Sequence, residues 1–222
     1  MNPTIEKLLS IPKSLYVSFK LMPFKEACKL PVLVRYNCKI ISLKGLIDVK
    51  QGGVKTAMLH IGFGSVGVFD KTYQRSMLQI DGRIELKGKA WFGHGSKISI
   101  TKNGKVIIGD RFVNTAMMTL ICDDRIEFGG NVTTSWNTLV MDTDWHAVKN
   151  TVTNEVRPFK KPIEIGNNVW LCTRSVILKG SKIASNCIVG ANAVVSGKFE
   201  KENTLIAGNP AKKCKSNITM CK

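Results

Sequence analysis

The sequence predicts an all-β solenoid, a parallel β-helix built from hexapeptide coils. Three observations predict it: an aliphatic residue every six positions, a small or medium residue four places later, and a break in that phase after Val140. The longest run is Ile165, Leu171, Ile177, Ile183, Val189 and Val195, with Val169, Ser175, Ser181, Cys187, Ala193 and Phe199 at the companion positions. Shorter runs are Ile80–Leu86–Phe92–Ile98, Ile108–Asn114–Leu120–Ile126 and Phe128–Thr134–Val140. Six is neither the helical period nor strand alternation. It is the period of stacked coils with three flat faces, each sending one side chain into a narrow core shared with its neighbours. A β-sandwich would need turn signals at 8–12-residue spacing, which these in-phase hexads do not show.

In chain order, residues 1–75 read as an N-terminal cap. Helical apolar spacing in IEKLLSIPKSLYVSFKLMPFKEACKLPVLVRYN is interrupted by Pro12, Pro23 and Pro31, which predicts one or two short helices, followed by irregular strands. Residues 76–207 carry the hexads and predict the β-helix. Glycines 93, 109, 129, 166 and 190 follow the aliphatic residue, where a tight turn would use their conformational freedom. Residues 141–162 fall out of phase and predict a protruding loop, a length that in a compact fold points to function. Pro210 ends the last coil, and 208–222 reads as a tail. GFGS at 62–65 lacks the strand–glycine–helix context of a nucleotide site.

The charge balance is lopsided: 33 Lys and Arg against 16 Asp and Glu give +17, a field that favours anionic partners. The basic residues are scattered and carry no nucleic-acid-binding signature, so nucleic acid is not expected. Seven irregularly spaced cysteines, with no C-x-x-C pair, read as reduced thiols of a cytoplasmic protein. No metal-ligand spacing occurs, and no metal is expected. Charges through the first thirty residues leave no signal-peptide core, and no apolar run approaches the length of a membrane span. The N-terminal segment mixes Lys13, Lys20, Lys25, Lys29 and Arg35 with Leu, Phe, Tyr and Met, which suits either a solvated basic cap or peripheral contact with anionic membrane.

MDTDWH (141–146) opens the out-of-phase segment. By itself it reads equally as a base with helpers, a metal cluster or a loop tip. Downstream, IEIGNNVWLCTRSVILKGSKIASNCIVGANAVVSG and AGNPAKKCK resemble the C-terminal half of hexapeptide-repeat acyltransferases, nearest the sugar and polysaccharide O-acetyltransferases related to galactoside, maltose and streptogramin acetyltransferases. The resemblance covers roughly residues 80–215. It implies a left-handed helix, a homotrimer, acetyl-CoA in the groove between subunits, and a histidine beside the interrupting loop as general base.

Carried onto this chain, the resemblance makes His146 the base; imidazole, with an ordinary pKa of about 6.5, suits proton removal from a hydroxyl near neutrality. Asp144 and Asp142 are candidates to orient it, since positions 142, 144 and 146 share a side in extended chain, or else to cap the turn. Asn114 occupies an aliphatic core position: it is either a satisfied core amide or a group at the reacting centre. Asp123 and Asp124 match a sugar-binding carboxylate, and Trp136 and Trp145 flank the loop as cleft-lining aromatics. For the cofactor, the resemblance implies Trp170, Thr173, Ala191 and Ser196 along the pantetheine and adenosine portions, with Lys212 and Lys215 at the phosphates. His94 reads as structural. The expected activity is acetyl-CoA-dependent O-acetylation of a sugar hydroxyl on a cell-surface polysaccharide or its precursor. N-acetylation of an amino sugar, acetylation of an antibiotic or serine, and a non-catalytic β-helix scaffold are the alternatives.

Overall fold

The computed structural model describes residues 3–221, which form a left-handed parallel β-helix with a helical cap. Helices α1 (Pro3–Leu21) and α2 (Phe24–Ala27) come first. The coils follow, three strands each. The first holds β1 (Val32–Val34), β2 (Lys39–Leu43) and β3 (Leu46–Val49); the second β4 (Leu59–Phe63), β5 (Met77–Ile80) and β6 (Arg83–Leu86). The third holds β7 (Ala90–His94), β8 (Lys97–Ile100) and β9 (Lys105–Ile108); the fourth β10 (Phe112–Ala116), β11 (Thr119–Cys122) and β12 (Arg125–Phe128). The fifth begins with β13 (Thr133–Thr134) and β14 (Leu139–Met141), detours through β15 (Val148–Lys149) and β16 (Val156–Arg157), and closes with β17 (Ile163–Ile165). The sixth and seventh are β18 (Trp170–Leu171), β19 (Val176–Leu178), β20 (Lys182–Ile183) and β21 (Ile188–Val189), β22 (Val194–Val195), β23 (Lys198–Phe199). Finally β24 (Thr204–Ala207) pairs antiparallel with β25 (Lys212–Ser216).

Strands at equal positions in successive coils pair in parallel and make three flat faces. Face 1 runs from β1 to β25, face 2 from β2 to β22 and face 3 from β3 to β23. The register stacks like on like. On face 2, Leu78, Ile98, Leu120, Val140, Ile177 and Val195 form one continuous buried column. On face 1 the column Phe92–Asn114–Thr134–Leu171–Val189 is interrupted by two polar residues.

The structure corrects four expectations. The coils begin at Val32, not at residue 76; the early ones carry the long insertions 50–58 and 64–76, which hide the period. Helix α1 continues through Pro12, which lies on its solvent side. Its opposite side is pinned to the first coil: the Val34 and Tyr36 N–H groups donate to Ser14 and Ser10 hydroxyls at 2.9 and 3.0 Å. These bonds offset the ladder bond that proline removes. Residues 212–216 are not free tail but a strand on the last rung of face 1.

The fourth correction concerns the glycines. Gly109, Gly129 and Gly166 do not adopt left-handed φ; they stack on one corner, where a Cβ on Gly109 would lie 2.3 Å from the Gly129 carbonyl carbon. Their role is close approach of coils. Left-handed turn geometry in that corner falls instead to asparagine, with Asn131, Asn168 and Asn186 at φ 54–61°. The Asn131 amide donates to Asn168 and the Asn168 amide to Asn186, at 2.7 and 3.0 Å, an asparagine ladder along the stack.

Candidate active site

The excursion leaves the edge between faces 2 and 3. It rises as an antiparallel pair: Thr143 bridges Lys160, and Val148 and Lys149 pair with Arg157 and Val156. At its tip the Asn150 N–H donates to the Glu155 carbonyl at 2.8 Å.

Its root is bolted to the coil stack. Asp142 is fully buried; the Asp123 and Asp124 N–H groups donate to its two oxygens at 2.8 and 2.9 Å, and the Cys122 thiol approaches at 3.2 Å. Burial raises its pKa above the ordinary carboxylate range, with those donors pulling partly against it. This carboxylate caps the turn of the coil below, so Asp142 takes the turn-capping alternative and does not hold the imidazole. Asp144 is also spoken for. Its Oδ2 sits 2.5 Å from Lys179 Nζ, which donates in addition to the Pro158 carbonyl at 2.8 Å. The Asp144 N–H donates to the Phe159 carbonyl at 2.7 Å. Asp144 and Lys179 thus form a clasp across the base of the hairpin, and the imidazole is not part of it.

His146 is exposed and makes no hydrogen bond among the described residues. Trp145 before it has φ 61°, a left-handed conformation unusual for a bulky residue, and its N–H donates to the Thr143 hydroxyl at 3.1 Å. That turn directs the chain outward at His146, and Trp145 itself is half exposed.

Asp123 is nearly buried. It accepts from the Thr101 hydroxyl at 2.5 Å, and Lys160 Nζ reaches its carboxylate and carbonyl, both at 3.0 Å. Burial works to raise its pKa, but the hydroxyl and ammonium outweigh burial and leave it below the ordinary value. Asp124 is half-buried and its carboxylate has no ion pair among the described residues.

Asn114 is fully buried inside the coils. Its amide donates to the Thr134 hydroxyl at 2.8 Å and the Ser135 and Ala116 carbonyls at 3.3 and 3.4 Å, while its oxygen accepts from Ser96 at 2.9 Å. Its amide and oxygen are thus both hydrogen-bonded within the core. His94 is likewise buried, 5.7 Å from the Phe69 ring, and burial lowers its pKa.

The cofactor candidates divide between two edges, and Trp136, expected to line the acceptor cleft, falls with one group of them. Trp136, Thr173 and Ala191 climb the edge between faces 1 and 2: the Thr173 hydroxyl donates to the Trp136 carbonyl at 3.0 Å, and the Asn192 N–H to the Thr173 carbonyl at 3.1 Å. Trp170 joins them through its indole N–H, 3.0 Å from the Ser135 hydroxyl. Ser196 lies on the other edge, in a groove of about 460 Å³ beside the excursion, with Lys161, Lys179, Lys182 and Lys198 against Glu164. Lys212 and Lys215 are exposed on β25. Within one chain, therefore, the histidine edge and the tryptophan edge are separate. Lys160, Lys179 and the Trp145 turn escaped sequence reasoning, because each acts across a corner whose register only the folded coils define. Among the described residues no cluster of three or more His, Cys, Asp or Glu side chains is placed to hold a metal ion.

Residues 162–197 match the family model described as bacterial transferase hexapeptide (six repeats). A 24.8 kDa protein in the cps region of Klebsiella pneumoniae is 29% identical over 91% of this chain and 87% of its own length. Galactoside O-acetyltransferase of Escherichia coli K12 is 30% identical over 122 residues, so the alignment spans 55% of each chain. The crystal structure of the polySia-specific acetyltransferase NeuO superimposes with a TM-score of 0.52 at 18% identity, covering 86% of this chain and 84% of that one, a likeness of fold.

Proposed function

Because this chain belongs to the hexapeptide-repeat acyltransferases, we propose that it transfers an acetyl group from acetyl-CoA to a sugar hydroxyl, on a cell-surface polysaccharide or its precursor, with His146 as general base. The observation that carries this reading is the exposed, unpartnered imidazole at the root of the excursion, held up by the Asp144–Lys179 clasp. Acetyl-CoA supplies an activated thioester. The free imidazole nitrogen of His146 takes the acceptor hydroxyl proton as that oxygen bonds to the thioester carbonyl carbon. On collapse the C–S bond breaks and the imidazolium returns its proton to the departing thiolate. With Asn114 committed inside the core, backbone N–H groups are left to stabilise the oxyanion.

The lysine-rich groove and the exposed Lys212 and Lys215 fit the phosphates of the co-substrate, and Trp170 fits a place beside its arm. The separation of the two edges supports a homotrimer in which one subunit's tryptophan edge faces its neighbour's histidine edge. The cytoplasm, where acetyl-CoA is made, is the proposed location. Among the described residues no helix is long and apolar enough to cross a membrane.

The test is thiol release from acetyl-CoA against a panel of sugar acceptors. His146→Ala is expected to lose turnover by about 10²–10⁴-fold while its melting curve stays unchanged. A folded variant with full turnover would remove His146 as base; a wild-type protein that neither binds acetyl-CoA nor releases thiol would favour the scaffold alternative.

A further inference from the structure

Helix α1 is amphipathic the wrong way round. The side against the first coil carries Glu6, Ser10, Ser14 and Ser18 beside Val17 and Leu21, and the serines spend their hydroxyls on backbone groups. The opposite side carries Ile5, Leu8, Leu9, Leu15, Tyr16 and Phe19, at spacings of three, four and seven that keep one helix face, each residue 38–59% exposed. Phe24, 73% exposed, extends the stripe from α2, its ring 5.4 Å from Phe19. Because α1 covers the free edge of β1, the stripe looks away from the coil stack.

We propose that this face docks the protein on an anionic lipid surface, with α1 lying flat in the headgroup layer; the inference goes beyond acyl transfer and does not depend on it. Charge decides the occupant. Lys20, Lys25 and Lys29 are exposed at the Phe19–Phe24 end of the stripe. Of the two acids on these helices, Glu6 is consumed by Arg35 at 2.7 Å and Glu26 is half-buried. Two copies apposed through this face would bring their own lysines together, whereas acidic headgroups complement them. An apolar face rimmed by lysine, on a helix that does not qualify as a span, is the pattern of an interfacial helix.

The full chain is floated with phosphatidylcholine vesicles with and without phosphatidylglycerol, at low and high salt. Binding is expected only with phosphatidylglycerol, and should weaken with salt. The Leu8→Ser/Phe19→Ser variant should lose about tenfold or more in partitioning. Lys20→Glu/Lys25→Glu, which keeps the apolar stripe, should lose the preference for phosphatidylglycerol. Circular dichroism melts establish that both variants remain folded, and light scattering follows their mass. No flotation of the wild type, equal flotation of the Ser variant, or a Ser variant whose only change is a smaller oligomeric mass would each overturn the proposal, the last by making this face a contact between copies.

Discussion

Adding one methyl group at Gly129 should split the coil stack, while the same methyl at Gly130 should not. A Cβ on Gly129 would stand 2.6 Å from both the carbonyl carbon and oxygen of Gly166 and 2.7 Å from the Asn167 nitrogen. All three are backbone atoms, so no side chain can swing aside. Ordinary contact begins near 3.4 Å, so the coils must part locally by about 0.8 Å in a close-packed core. Overpacking of this kind costs about 1–3 kcal/mol. Parting the coils also stretches the rung bond from the Gly129 N–H to the Ile165 carbonyl, now 2.7 Å, worth about 1 kcal/mol. The total is about 2–4 kcal/mol, or a fall in Tm of roughly 5–15 °C for a chain of this size. At Gly130 the added Cβ meets Asn167 Oδ1 at 3.5 Å and the Asp110 carbonyl at 3.7 Å, both ordinary contacts. Gly130→Ala should therefore hold Tm or raise it slightly, by restricting the unfolded chain. Thermal unfolding of the two variants beside the wild type, followed by circular dichroism, is the assay. A Gly129→Ala protein that melts with the wild type, or a Gly130→Ala protein that falls as far, would refute the close-approach account.

Asn114→Ala should lower stability by about 1–3 kcal/mol, since Ser96 and Thr134 lose a buried partner, yet leave turnover per folded molecule unchanged. A stable variant with collapsed turnover would return Asn114 to the reacting centre. Asp123, held below the ordinary carboxylate pKa against burial by Thr101 and Lys160, contributes stability above its unfolded pKa of about 3.9 that disappears as pH falls through its folded value. The Tm difference between wild type and Asp123→Asn should thus be full at neutral pH and shrink below about pH 4; a gap constant with pH would count against the ion pair.

The middle and C-terminal coils were legible because a hexad names its own core: Leu171, Ile177, Ile183, Val189 and Val195 are all buried as the period requires. The first coil and the opening strand of the second were not. Their core residues Val32, Ile47 and Leu59 are just as buried, but insertions between them destroy the spacing, and only the folded register brings them into column. The excursion was legible as lost phase, and His146 as its histidine. The partners of the two aspartates were not, because Asp142 answers to N–H groups one coil away and Asp144 to a lysine one coil on. Glycine spacing was legible too, but whether glycine serves a turn or a close approach depends on what the adjacent coil places opposite it.

A stack of coils is also a ruler. Along face 1 the rungs β1, β4, β7, β10 and β13 are successive neighbours, and adjacent strands sit about 4.8 Å apart. Helix α1 covers the first rung and the excursion leaves the coil that contains the fifth, so the imidazole's coil stands about 19 Å, four rung spacings, beyond the rung that the cap covers. That height is counted in whole coils and cannot drift: a helix or loop spacer can bend, but hydrogen-bonded rungs fix the separation. If the cap rests on a surface, the coil count sets how far above it the histidine works, and inserting or deleting one coil would move it by a single rung.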